Sequence, residues 1–85
     1  MLHFDIEAIW AQVRAMDFVR GTPQEVHQWR MDDAESRANL AIEDMALASN
    51  EAELFDMLLD EAVPPALASK IVAGLIERGA GELAA

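Results

Sequence analysis

Apolar residues recur along this chain three and four positions apart and never settle into the strict alternation of a strand, so the elements it predicts are helices. Ile6, Ile9, Trp10, Val13 and Met16 share one face of a first helix, expected over 5–20, with Asp5 as its cap and Phe4 and Ile9 placed as a hydrophobic staple. Asp17 and Arg20 interrupt the far end of that stripe, and Gly21 stops it. A Trp inside such a stripe reads as core rather than as a binding anchor.

Thr22-Pro23-Gln24-Glu25 is a complete helix start: Thr22 can accept from the Glu25 N–H, Glu25 can reach back to Thr22, and Pro23 sits where its missing donor costs nothing. No Gly or Pro follows until Pro64, so a long second helix is expected over 23–47. Ser49-Asn50-Glu51-Ala52-Glu53 reads as a turn into a third helix over 51–62, with Asn50 as cap and Leu54, Phe55, Leu58, Leu59 and Ala62 on one face. Val63-Pro64-Pro65 halts it, because a residue before proline is pushed out of the helical region. Pro65 opens a fourth helix over 65–78, with Leu67, Ala68, Ile71, Val72 and Leu75 together and Gly79 available as a left-handed cap. The pattern therefore predicts an all-α protein, one domain spanning 1–85: a small bundle of about four helices with a long second helix and a frayed tail over 79–85.

The second helix carries two unlike faces. Met31, Ala34, Ala38, Ala41, Ile42 and Met45 share one arc, and Asp32, Glu35, Ser36, Asn39 and Glu43 share another. The first arc is built to pack, since alanine lets a neighbouring helix approach and methionine adapts to its shape. The acidic arc, on pattern alone, is a solvated face. Between them RMDDAESR is densely charged, with Asp33 and Arg37 spaced for a pair worth about a few tenths of a kcal/mol. So polar a middle predicts a helix partly unsupported by its own domain, either docking on something else or simply exposed.

Composition narrows the function. With 85 residues the chain buries only about 60% of its unfolded surface. Sixteen acidic residues against six basic ones give a net charge of −10, which repels phosphate backbones and anionic lipid and speeds encounter with a basic partner. Nucleic-acid and membrane binding are disfavoured, and a helix-turn-helix reading of the last two helices offers only Lys70 and Arg78 as cations. The 53% hydrophobic content, with two Trp and three Phe, predicts collapse rather than disorder. MLHFDIEAIW has no basic leader and places Asp5 and Glu7 within its apolar run, so neither signal peptide nor membrane span is expected and a cytoplasmic location is the default.

Catalytic chemistry has few candidates. Cysteine is absent; His3 and His27 lie 24 positions apart without a metal-binding spacing, and Asp32, Asp33 and Glu35 lack the alternating oxygens and the Gly of a calcium loop. Ser36, Ser49 and Ser69 have no His at helical spacing, and no Gly-rich loop opens a helix. The expectation is a protein with no enzymatic activity, no cofactor and no metal.

The run Asn39 to Leu47, NLAIEDMAL, resembles the inhibitory segment of the small antitoxins that silence Fic-type AMP-transferases. In that family a Ser or Thr stands four residues before a Glu that is followed by Gly or Asn. Here Glu43 takes the glutamate's place, Asn39 replaces the Ser/Thr and Asp44 replaces the Gly/Asn. The resemblance implies that Glu43 pairs with an arginine of the toxin's nucleotide site and keeps the γ-phosphate of ATP from settling productively. It also implies a protein partner that contacts Ser36, Asn39 and Asp44 beside Glu43, with Met31 and Met45 supplying apolar contact. A reading from a different class remains beside it: an acidic helical interaction module whose long helix self-associates, giving a homodimer.

Overall fold

A computed structural model describes residues 3–78. Four helices follow one another, α1 (Ile6–Ala15), α2 (Pro23–Ile42), α3 (Ser49–Asp60) and α4 (Pro65–Glu77), and no strand occurs among the described residues. This is the expected all-α bundle with its long second helix. The tail over 79–85 and the Gly79 cap lie outside the described residues.

The core is made by three helices rather than four. Phe4, Ile9, Val13, Leu54, Met57, Leu58, Val63, Ile71 and Leu75 form one buried cluster drawn from α1, α3, α4 and the segments beside them, and α2 contributes none of them. Asp5 Oδ1 accepts from the Ala8 N–H at 3.1 Å, and Phe4 and Ile9 are both buried, so the expected cap and staple form together. Asn50 acts differently from its expected role. Ala48 occupies the cap of α3 and Glu51 Oε1 accepts from its N–H at 3.2 Å. The Asn50 amide sits inside the first turn and clamps Phe4, with Oδ1 accepting from its N–H at 2.6 Å and Nδ2 donating to its carbonyl at 2.9 Å. An amide can satisfy a backbone donor and acceptor at once, which a cap position would not have used.

The helix boundaries that depart most from expectation have one tertiary and one local cause. α1 ends at Ala15, five residues before the expected 20, and Met16 turns extended. Beyond it Phe18 packs against the core with the Arg20 guanidinium 4.7 Å from its ring centre. Arg20 then reaches α3's end, donating to the Glu61 carbonyl and, at 3.0 Å, to its carboxylate. The other Glu61 oxygen accepts from Trp10 Nε1 at 2.7 Å, which corrects the reading of Trp10 as core: it is 41% exposed on the rim, anchored by its polar edge. The Trp10 hydrogen bond holds the Glu61 carboxyl below its ordinary value, helped by the Arg20 hydrogen bond and the Arg14 and Arg20 charges and opposed by desolvation.

α2 and α3 stop in the same way. Past Ile42, Glu43 is the C-cap and Asp44 adopts φ 60°; Met45 N–H donates to the Leu40 carbonyl at 2.7 Å and Asp44 N–H to that of Ala41 at 3.1 Å. Past Asp60, Ala62 adopts φ 55°, with Val63 N–H on Leu58 and Ala62 N–H on Leu59, each at 3.0 Å. Both are Schellman turns, and neither has the glycine that usually marks one. That is why α2 ends at Ile42 instead of 47. A left-handed alanine costs about 1–2 kcal/mol, part of which a glycine returns to the unfolded chain as entropy. Ala62→Gly is therefore expected to stabilise the domain by about 0.5 kcal/mol, read as a higher urea midpoint with unchanged slope.

Of the two glycines among the described residues, Gly21 is the one whose missing side chain the packing requires. Its N–H donates to the Ala62 carbonyl at 2.9 Å, and a Cβ there would lie 2.3 Å from the Trp29 indole. Gly21→Ala is expected to displace that ring and to cost about 1–3 kcal/mol, seen as a lower thermal midpoint together with a red-shifted Trp29 emission.

Candidate functional site: the outer face and tip of α2

α2 begins with the full capping box. Thr22 Oγ1 accepts from the Glu25 N–H at 3.2 Å, and Glu25 Oε1 accepts from the Thr22 N–H at 3.0 Å. From there 20 residues run without one buried side chain. The half-buried positions are Val26, Trp29, Asp33, Arg37 and Leu40, spaced three and four apart, so this is the stripe that meets the rest of the domain. Two ion pairs tie it to α3: Arg30 to Asp60 at 2.5 Å and Arg37 Nη2 to Asp56 at 3.0 Å, while Arg37 Nε lies 2.9 Å from Asp33 as the spacing anticipated. Such solvent-facing pairs contribute about 0–1 kcal/mol each. They fix rotation more than they add stability.

That rotation leaves Met31, Ala34, Ala38, Ala41, Ile42 and Met45, the arc suited to pack against another helix, off the stripe that meets the rest of the domain. All six are exposed, with Met31 at 54%, Ile42 at 83% and Met45 at 57%. Trp29 seated over Gly21 and the two arginines pointed at α3 turn a different stripe inward. An apolar helix face is left facing water, which is the usual mark of a surface awaiting a partner.

The acidic arc divides along its length. Asp32 and Ser36 line a cleft between α2 and the α3–α4 pair. Asn39 and Glu43, farther on, are exposed. Glu43 caps the helix's carbonyl end, its N–H donating to the Asn39 carbonyl at 3.3 Å, and Asp44 follows, exposed and in the left-handed turn. No lysine or arginine among the described residues pairs with Glu43, and α2 has no basic residue in its last turn. A carboxylate at the negative end of a helix dipole is disfavoured by about 0.3–1 kcal/mol. A foreign cation at this tip would relieve that penalty, so the arrangement favours a guanidinium or ammonium and opposes a phosphate.

The six residues singled out in the sequence are all exposed: Met31 and Met45 on the apolar arc, Ser36, Asn39 and Glu43 on the acidic one with Ser36 at the cleft, and Asp44 at the turn. What sequence reasoning missed is the turn itself, because Asp44 carries no glycine signal. Among the described residues no group of three His, Cys, Asp or Glu could hold a metal ion, and no helix is long and apolar enough to cross a membrane. Compared with known protein families, curated proteins and solved structures, the chain matches none.

Proposed function

We propose that this protein is an antitoxin that binds a Fic-type AMP-transferase and inhibits AMP transfer by placing Glu43 in its ATP site. It acts without catalysis, cofactor or metal of its own, in the cytoplasm, on a protein partner. The observation that carries the reading is Glu43 itself: exposed, unpaired with any lysine or arginine among the described residues, and held at the tip of a helix by a left-handed turn. The resemblance puts Gly or Asn after the inhibitory glutamate, and Asp44 adopts the backbone geometry for which those two residues are the usual choice. Met31, Ile42 and Met45 supply the apolar contact that holds the helix on its partner, while Glu43 supplies the inhibition.

The test mixes the purified chain with a Fic-type AMP-transferase and ATP. Formation of a one-to-one complex and loss of AMP transfer are expected; undiminished transfer at saturating chain rejects the reading. The same exposed stripe also suits a self-associating adaptor, and light scattering of the isolated chain separates the two. A compact homodimer that protects the Met31–Met45 face favours the adaptor.

A further inference from the structure

Between α2 and the α3–α4 pair lies a cleft of roughly 400 Å³, a volume at the lower end of small-molecule sites. Its apolar surface comes from Trp29 on one side and Phe55, Leu59, Pro65 and Ala68 on the other. Its polar groups are the carboxylates of Asp32 and Asp33 and the hydroxyls of Ser36 and Ser69, and no lysine or arginine lines it. Asp33 is balanced by Arg37 at 2.9 Å. Asp32 is not balanced: it accepts from Gln28 Nε2 at 3.0 Å and pairs with no lysine or arginine among the described residues. An apolar floor under an uncompensated carboxylate fits an amphipathic cation, whose stem meets carbon and whose head meets oxygen.

We propose that this cleft receives a lysine or arginine side chain, a long apolar stem with a cationic head, presented by a basic amphipathic segment of a protein partner. The occupant is argued from charge complementarity at two scales. Locally the rim carries one negative charge with no cation of the cleft to answer it, and globally the chain carries −10, which draws basic segments and repels acidic ones. The Trp29 indole adds a π surface for the head group, worth about 0.5–1 kcal/mol at an exposed site. Asp32 and Ser36 stand one turn apart on α2, so the head group has a carboxylate and a hydroxyl within one span. The inference goes beyond the inhibitory reading, because the cleft excludes Asn39 and Glu43 and its chemistry holds whatever the identity of the partner.

The test uses the full chain, isotopically labelled, at low salt, titrated with three probes of closely similar shape: phenethylammonium, 2-phenylethanol and phenylacetate. The cation is expected to shift the Trp29 indole N–H and the amides of Phe55, Ala68 and Ser69 at a several-fold lower concentration than the alcohol, with the anion weakest. Asp32→Asn, at an exposed position, is expected to bring the cation's affinity down to that of the alcohol while leaving the alcohol's unchanged. Ser69→Phe, also at an exposed position, is expected to fill the cleft and abolish the shifts from all three probes, with the far-ultraviolet circular dichroism preserved. Equal affinities for the three probes in the unmodified chain, a preference for the anion, shifts confined to other residues, or no shift at all would each overturn the proposal.

Discussion

Glu43→Gly is expected to leave the complex with a Fic-type AMP-transferase assembled and to raise AMP transfer in that complex about tenfold or more, a difference of ~1.4 kcal/mol at the inhibited step. The separation follows from geometry. Met31, Ile42 and Met45 hold the apolar surface, and Glu43 stands past the last helical residue, so removing its carboxylate deletes the charge while sparing that contact. The fold should hardly notice. Glu43 makes no side-chain contact that stabilises the bundle, and a carboxylate at a helix's carbonyl end is slightly unfavourable, so the stability change should fall within about 0.5 kcal/mol. The measurement is transfer of labelled AMP at saturating concentrations of this chain beside a binding isotherm. Inhibition that persists in full would remove Glu43 from the mechanism, and loss of the complex would show that the carboxylate anchors binding itself.

Leu54→Ala is expected to unfold much of the population at body temperature. Leu54 is fully buried within the cluster that joins α3 to α1 and α4, and truncating such a residue costs about 3–5 kcal/mol. A chain of 85 residues has a total stability of about 4–13 kcal/mol. The loss is therefore a large part of the whole, and the urea midpoint should fall accordingly. Met31→Ala supplies the contrast. That side chain is 54% exposed and packs on nothing in the core, so its truncation should change stability by less than about 0.5 kcal/mol while weakening partner binding. A large destabilisation by Met31→Ala would mean that the outer face of α2 is buried in solution, as the self-associating alternative requires.

The helices were legible because their starts are written locally. Asp5, Thr22 with Glu25, and Pro65 each act through bonds or angles inside one turn. Apolar spacing also found the inward faces of α1, α3 and α4, including Ile9, Val13, Leu54, Leu58, Ile71 and Leu75. Helix ends were less legible, since one depends on a distant group and two on turns without their usual glycine. Arg20 leaves the helical path for Glu61, and Asp44 and Ala62 adopt left-handed angles that their residue types do not announce. The inward face of α2 also depends on distant groups. Trp29 is apolar, but Asp33 and Arg37 are not, and only the positions of Gly21 and Asp56 in space explain why that stripe turns inward in preference to one of alanine and methionine. Of the candidate site, the residue types and their two arcs could be read; which arc faces water and the pose of Glu43 could not.

An architecture whose longest helix lends nothing to the interior separates two kinds of constraint. Substitutions along the outer surface of α2 can accumulate with little threat to folding, since the residues that hold the bundle together lie on other elements. Under the proposed reading, partner choice could be re-engineered at Met31, Asn39 or Met45 one residue at a time, without the compensating interior changes that a recognition surface built into the core would demand.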